Sequence, residues 1–466
     1  MNFAQAEFVI FLLVVLAGTW VAGERRRLRN GFLLAASYYF YAYWDYRFCG
    51  LLLISTLVDF FVAARMHRCQ SPRHRLGWLV VSLSVNLGIL GFFKYANFFI
   101  ESARPLVEAL GLHASTLNVI LPVGISFYTF QTLSYTIDVY RGKLRPHSSL
   151  LDFALYVAFF PQLVAGPIVR ASSLLPQLAH VPKYRPRRVY AGCQQLLRGA
   201  VKKIVIADRL AESVDVVFSG VELYSSVTVW IAVIAYAGQI YYDFSGYSDM
   251  AIGVAKLLGY RFPVNFRHPY LATSMTEFWH RWHITLSTWL RDYLYIPLGG
   301  SRGSSTATKR NLMITMGLGG LWHGAAVTYV LWGIWHGVAL VVERSHVKIW
   351  RSVAPALRWI AVMLVVLMGW VLFRSPDWAT SLEVYERLWM PFLTAETSPR
   401  ILWLPPLTLL MIGIMVVEHT VWTTRLRRCM RLPANAWYSP VATAIMIWML
   451  LLYAPRDFRP FVYFQF

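Results

Sequence analysis

The chain has 466 residues, 57% of them hydrophobic and 16% aromatic, which excludes an ordinary soluble domain. Its net charge of +21 invites a nucleic-acid reading, but the cations gather between apolar runs. They fall at Arg25 to Arg29, Arg65 to Arg75, Arg141 to Arg145, Lys183 to Arg209 and Arg425 to Arg431, the positive-inside pattern of cytoplasmic loops. No nucleic-acid partner is implied; such loops attract anionic membrane lipids or an anionic ligand.

The apolar runs are continuous, so the expected fold is an all-α polytopic integral membrane protein rather than a barrel. Phe8 to Ala22 carries its cations after it, the wrong polarity for a cleaved signal peptide, and reads as a retained helix running from outside to inside. Phe32 to Ala63 begins and ends at cytoplasmic charge and is predicted to cross twice, with a break near Trp44-Asp45-Tyr46-Arg47. Trp78 to Ile100 leads out, and Val119 to Tyr140 returns through Pro122 and Gly124.

Leu150 to Val169 contains Pro161, Gly166 and Pro167 and is read as a re-entrant pair of half-helices, which lipid tolerates only where protein or a cavity satisfies the backbone. Val221 to Tyr260 is a strong span followed by Asp243-Phe244-Ser245-Gly246-Tyr247-Ser248-Asp249. Two readings compete for its acids: Asp243 or Ser245 caps a helix starting near Ser248, or Asp243 and Asp249 line a cavity. Thr276 to Leu298 reads as one interfacial helix, with Trp279, Trp282, Leu286, Trp289, Leu290 and Tyr293 on its apolar face and His283, Ser287 and Arg291 on a polar one. A hairpin over Leu312 to Val342 and spans near Trp359 to Phe373, Ile401 to Val417 and Val441 to Tyr453 follow, giving roughly ten to twelve crossings. No gap is long enough for a soluble domain, and no internal repeat is visible. Cys49, Cys69, Cys193 and Cys429 show no paired spacing, so no disulfide or zinc framework is implied.

His323, in Gly319-Gly320-Leu321-Trp322-His323-Gly324-Ala325, is the ionisable group that such an apolar stretch must account for. The flanking glycines admit a neighbouring helix or a ligand. One reading is a histidine bonded to the next helix; the other is a general base taking a proton from a hydroxyl while a thioester carbonyl is attacked. Lys309 and Arg310 mark the cytoplasmic edge of its helix, and thirteen residues of helical rise from Arg310 place the imidazole roughly 20 Å deep in a core of about 30 Å. A cytosolic reactant then needs a tunnel, and a long donor with an anionic head suits it. His283 is read either as orienting the reactants or as bonded to a headgroup, and His336 as a structural partner in the hairpin. Glu277-x-x-His280 and Glu343-x-x-His346 resemble half of a di-iron set, but the further inward glutamates are missing, so no metal is assigned.

Stretches along nearly the whole chain resemble, in the same order, the membrane-bound O-acyltransferases, and within them the bacterial branch of alginate O-acetyltransferase membrane subunits. They are Phe92 through Phe98, Leu121 through Tyr128, Ile137 through Gly142, Ala165-Gly166-Pro167, Asp243 through Ile252, Glu277 through Tyr295, Gly319 through Ala325, and Tyr463 through Phe466. The resemblance implies a single transmembrane domain over residues 1–466, with a catalytic core of about 90–345, formed as a ring of tilted helices around a central tunnel. It implies His323 as the catalytic histidine and His283 as a second site residue across the tunnel.

Trp282, Ser287, Arg291, Asp292, Tyr295, Trp322 and Asp249 become candidate donor-binding or tunnel-lining residues, with His336 and Asp243 in secondary roles. The donor implied is acetyl-CoA, with no permanently bound cofactor. The partners implied are periplasmic or membrane-anchored acetyltransferase proteins that esterify an exopolysaccharide, alginate or cellulose. The chain would then lie in the bacterial inner membrane with both termini periplasmic. Two departures are His280, where this branch carries arginine, and a short connection near Leu432 to Asn435. A transporter or flippase without acyl chemistry is the competing class, and a scaffold of a secretion complex the third; neither predicts CoA binding, and the scaffold gives no reason for so deep a histidine.

Overall fold

The computed structural model describes residues 1–113, 115–393, 400–424, 432–454 and 459–462. The described residues are helical, with one isolated bridge between Tyr224 and Ile401 and no strand among them. Two compact units are present: residues 1–196 with 250–263, and residues 197–249 with 264–466.

The first unit holds α1 (Ala6–Ala22), α2 (Arg26–Asp45), α3 (Cys49–Arg68), α4 (Pro72–Leu90), α5 (Ala96–Ala109), α6 (Ile125–Tyr140), α7 (Leu150–Ala158), α8 (Phe160–Leu163), α9 (Ala171–Leu178) and most of α10 (Pro186–Ala200). The expected break in the second apolar block is there: a 3-10 turn over Tyr46–Phe48 separates α2 from α3, and Asp45 accepts from the Arg47 amide at 2.9 Å. The expected break near Pro161 is there too, where Phe159 leaves helical geometry between α7 and α8. Val119 to Tyr140 is not helical throughout. α6 starts only at Ile125, because Pro122 has no amide to donate and Gly124 takes a left-handed φ of 77° against the Leu163 carbonyl.

Polar groups within this unit are paired, as burial demands. Asp59 accepts from Ser82 at 2.6 Å and Asn86 at 3.0 Å, and Asp152 accepts from Arg26 at 2.7 Å and Asn30 at 2.8 Å.

The second unit holds α11 (Asp208–Phe218), most of α12 (Ser226–Leu257), α13 (Met275–Arg281), α14 (Ile284–Leu290), α15 (Ser305–His323), α16 (Val327–Ser345), α17 (Val347–Ser352), α18 (Pro355–Arg374), α19 (Trp378–Leu393), α20 (Pro406–Thr423) and α21 (Tyr438–Leu452). Its core is aromatic, with Trp282, Trp332 and Trp370 fully enclosed. α19 is absent from the sequence reading, because Glu383, Glu386 and Arg387 break its apolar pattern.

Four helical segments among the described residues are long and apolar enough to cross a bilayer: Arg26–Arg68, Pro72–Ala109, Pro355–Arg374 and Pro406–Thr423. The protein is a multi-pass membrane protein. Asp243 does not cap a helix. It lies well inside the 32-residue α12, where Lys203 neutralises it at 2.7 Å, so no helix break is needed to satisfy it. The stretch Tyr463 through Phe466 and the basic cluster Arg425 to Arg431 lie outside the described residues.

Candidate active site

His323 is the last residue of α15, and Gly324 to Ala326 turn the chain into α16. The hairpin packs unusually close, since a Cβ on Gly320 would collide with the Tyr329 carbonyl and one on Gly333 with the Met316 carbonyl. That approach seats the imidazole in an aromatic cage, its ring 5.0 Å from Trp322, 5.0 Å from Trp332 and 5.3 Å from Phe373. It is 4% exposed.

The remaining exposure faces a cavity of about 740 Å³. Its far end is polar: Arg291, Tyr295 and Ser301 come from the segment after α14, Arg344 and Glu343 from the end of α16, and His280 from α13. Its walls are Leu286, Leu290, Leu312, Met316, Gly319 and Leu340. α15 starts beside the polar end, where Asn311 donates to the Gly300 carbonyl at 3.2 Å, and finishes at His323. The cavity therefore runs along α15 from a basic mouth through apolar walls to one imidazole. Such a shape accepts a ligand with an anionic head and a long slender arm.

Thr276 to Leu298 is not one helix. α13 stops at Arg281, Trp282 is extended, and His283 takes a left-handed φ of 41° before α14 begins. Left-handed backbone is uncommon for a residue with a Cβ, and its cost is borne where the surroundings hold the residue in place. Asn265 does this. Its Oδ1 accepts from the Thr285 amide at 3.2 Å, from Thr285 Oγ1 at 3.0 Å and from His283 Nδ1 at 3.2 Å. The Thr285 amide can only donate, which fixes that Asn265 atom as oxygen and therefore places the proton of His283 on Nδ1. Nε2 is then the acceptor nitrogen of the ring. The His283 and His323 rings lie 6.4 Å apart. His283 is fully buried and does not line the large cavity.

Of the residues singled out in the sequence, Ser287, Arg291, Tyr295 and His280 line the cavity with His323. Asp292 accepts from the Arg291 guanidinium at 2.8 Å and holds it at the mouth. Trp322 packs on His323, whereas Trp282 is enclosed in the core and stacks on Phe278. Asp249 lies apart, paired with Lys202 at 2.8 Å, and His336 is buried against Trp332 and Trp279.

Glu277 pairs with Arg281 at 2.6 Å, and Glu343 accepts from Thr276 Oγ1 at 2.6 Å and from the Met275 amide, so both cap and clamp α13. Partial burial raises the Glu277 carboxyl, but bonds from the Thr273 amide and Arg281 outweigh it and hold the group below its ordinary value of 4.5. Asn265 escaped the sequence reading. It lies 18 residues before His283 on a non-helical segment, where no periodicity links them.

Residues 142–382 match the membrane-bound O-acyltransferase family. The chain is 43% identical to a probable alginate O-acetylase of Pseudomonas aeruginosa, over 90% of this chain and 80% of that one. It is 38% identical to a probable alginate O-acetylase of Pseudomonas putida over the full length of both. A peptidoglycan O-acetyltransferase of Helicobacter pylori is 37% identical over 76% of this chain and 72% of its own. The chain belongs to the membrane-bound O-acyltransferase family and is an acyltransferase.

Proposed function

We propose that this protein takes an acetyl group from cytoplasmic acetyl-CoA and passes it across the inner membrane to machinery that O-acetylates an exopolysaccharide, alginate or cellulose. The carrying observation is the cavity that begins at Arg291 and Arg344 and ends at His323. The guanidinium groups hold the anionic head of the donor, and the pantetheine arm lies along the leucine and methionine walls and brings the thioester to the imidazole. His323 accepts the proton of the acceptor hydroxyl as that oxygen attacks the thioester carbonyl. A carbon–oxygen bond forms, the carbon–sulfur bond breaks, and the proton passes to the departing thiolate. His283, locked by Asn265, orients the reacting groups from beside His323. The alginate O-acetylase relatives support the polysaccharide as final recipient. In this reading the partner proteins act on the periplasmic side, where both termini of the chain also lie.

The test is the ester content of the exopolysaccharide from cells carrying wild-type protein or His323→Ala at matched membrane levels. Loss of ester at unchanged polymer yield supports this reading. Normal ester content ends the assignment of His323, and reduced polymer export points to transport instead.

A further inference from the structure

The basic run that opens at Lys183 has no part in the chemistry above, and none of residues 183–189 lines the cavity at His323. In the first unit these residues form a shallow cradle, in which Lys183, Tyr184, Arg185 and Arg188 meet Lys256 from the last turn of α12 and Gly259 from the turn after it. Four cations line the cradle and no carboxylate does. Lys183 and Arg185 are exposed, and their side chains enter no hydrogen bond or ion pair among the described residues. Cations crowded in this way without a counter-charge concentrate anions from the surroundings.

The floor under these cations is held in place by backbone contacts. Gly259 has a positive φ of 92°, and Pro182 fills the space of its missing side chain, 2.3 Å from where a Cβ would stand. The Gly259 carbonyl accepts from Arg188 at 3.0 Å, and the Leu258 carbonyl accepts from the buried Arg29 at 2.6 Å. The cradle also adjoins a lipid-facing surface. Tyr184 Oη lies 3.4 Å from Thr19 Oγ1, in the last turn of α1. From there exposed apolar side chains, Val21, Trp20, Val14, Leu13 and Ile10, run back along α1 at helical spacing. Trp20 and Val21 are 75% and 76% exposed, and an indole at the end of an apolar span marks the bilayer boundary. Acyl chains cover such a stripe, and their headgroups reach the level of Tyr184.

We propose that the cradle binds the headgroup of an anionic phospholipid, with the phosphate among Lys183, Arg185, Arg188 and Lys256 and the acyl chains along the α1 stripe. A soluble phosphate ester shares the anionic chemistry but makes no use of the stripe. A lipid is the occupant that the two features together select. The inference goes beyond the acyl-transfer reading and does not depend on it.

The experiment is native mass spectrometry of the full-length protein in detergent, titrated with phosphatidylglycerol, with phosphatidylcholine of the same acyl chains, and with glycerol 3-phosphate. Wild type is expected to retain one phosphatidylglycerol at least about tenfold more tightly than phosphatidylcholine, and glycerol 3-phosphate does not displace it. Lys183→Gln with Arg185→Gln weakens phosphatidylglycerol about tenfold or more, since each cation beside an anionic headgroup counts on the order of fivefold. Neither side chain bonds to the rest of the fold, so the thermal midpoint of this variant stays at the wild-type value. Arg68→Gln with Arg73→Gln removes the same charge from another exposed basic loop and leaves lipid affinity as it was. Equal retention of the two lipids overturns the proposal, as does equal loss in both double variants or no loss in the first. Displacement by glycerol 3-phosphate assigns the cradle to a soluble phosphate, and loss of acetyl-CoA binding in Lys183→Gln with Arg185→Gln assigns it to the donor; either result overturns the lipid.

Discussion

His283 and Asn265 are joined by a 3.2 Å bond that fixes which nitrogen of the imidazole carries the proton, 6.4 Å from the ring of His323. A buried ring without that anchor can turn or change tautomer. Asn265→Ala is therefore expected to lower acetyl transfer by roughly ten- to a hundredfold with donor affinity unchanged. Asn265→Asp keeps the accepting oxygen and loses only the 3.3 Å bond to Ser248, so it retains more activity than alanine. Equal loss in both variants, or a matching loss of acetyl-CoA binding, contradicts a positioning role.

Arg291 stands at the mouth of the cavity, about one helical turn beyond Ser287, which lines the same cavity. Arg291→Gln is expected to raise KM for acetyl-CoA about tenfold while leaving kcat nearly unchanged, since the head group binds equally in ground and transition states. His280→Arg, which adds a cation to the same cavity, should lower KM. Steady-state kinetics in reconstituted membranes decide both, and a fall in kcat for Arg291→Gln would place that residue closer to the chemistry.

Gly320 and Gly333 let α15 and α16 touch backbone to backbone. Gly320→Ala forces the Tyr329 carbonyl away and shifts the aromatic cage, at a cost of about 1–3 kcal/mol. Thermal unfolding in detergent should show a lower midpoint, together with reduced activity. An unchanged midpoint would mean that the hairpin yields at no cost.

Lys203 is one cation against two buried carboxylates. Lys203→Met leaves both without a counter-charge and is expected to destabilise by about 3–5 kcal/mol. Asp243→Asn leaves the Lys203–Asp208 pair intact and costs less, and adding it to Lys203→Met recovers part of the loss. Denaturation of the single and double variants checks the order; additive losses would show that the three groups do not act together.

Glu277 titrates below its ordinary value in the folded protein. A carboxyl depressed by folding contributes stability that is present above its unfolded value and disappears as pH falls through the folded one. Stability should decline as pH drops below about 4.5, and Glu277→Gln should flatten that decline. A parallel decline in the variant would assign the acid sensitivity to other groups.

Much of this was legible in the residues alone. Apolar length and the spacing of basic loops determine a helical multi-pass protein, because lipid leaves the backbone no other partner than itself. Breaks at Tyr46–Phe48 and Phe159 follow from local polarity and proline. His323 stands out because an imidazole in an apolar glycine-rich run needs a reason to be there. Tertiary structure decided the rest, because it brings together residues that no period connects. Helical periodicity over Thr276 to Leu298 implied a continuous helix, but Asn265 and the core around Trp282 hold His283 in left-handed backbone and break it. The sequence leaves Asp243 open between a cap and a cavity wall, because its partner, Lys203, lies 40 residues earlier. The cavity at His323 exists only where α13 to α17 pack, since a cavity is a property of surfaces and not of any one segment.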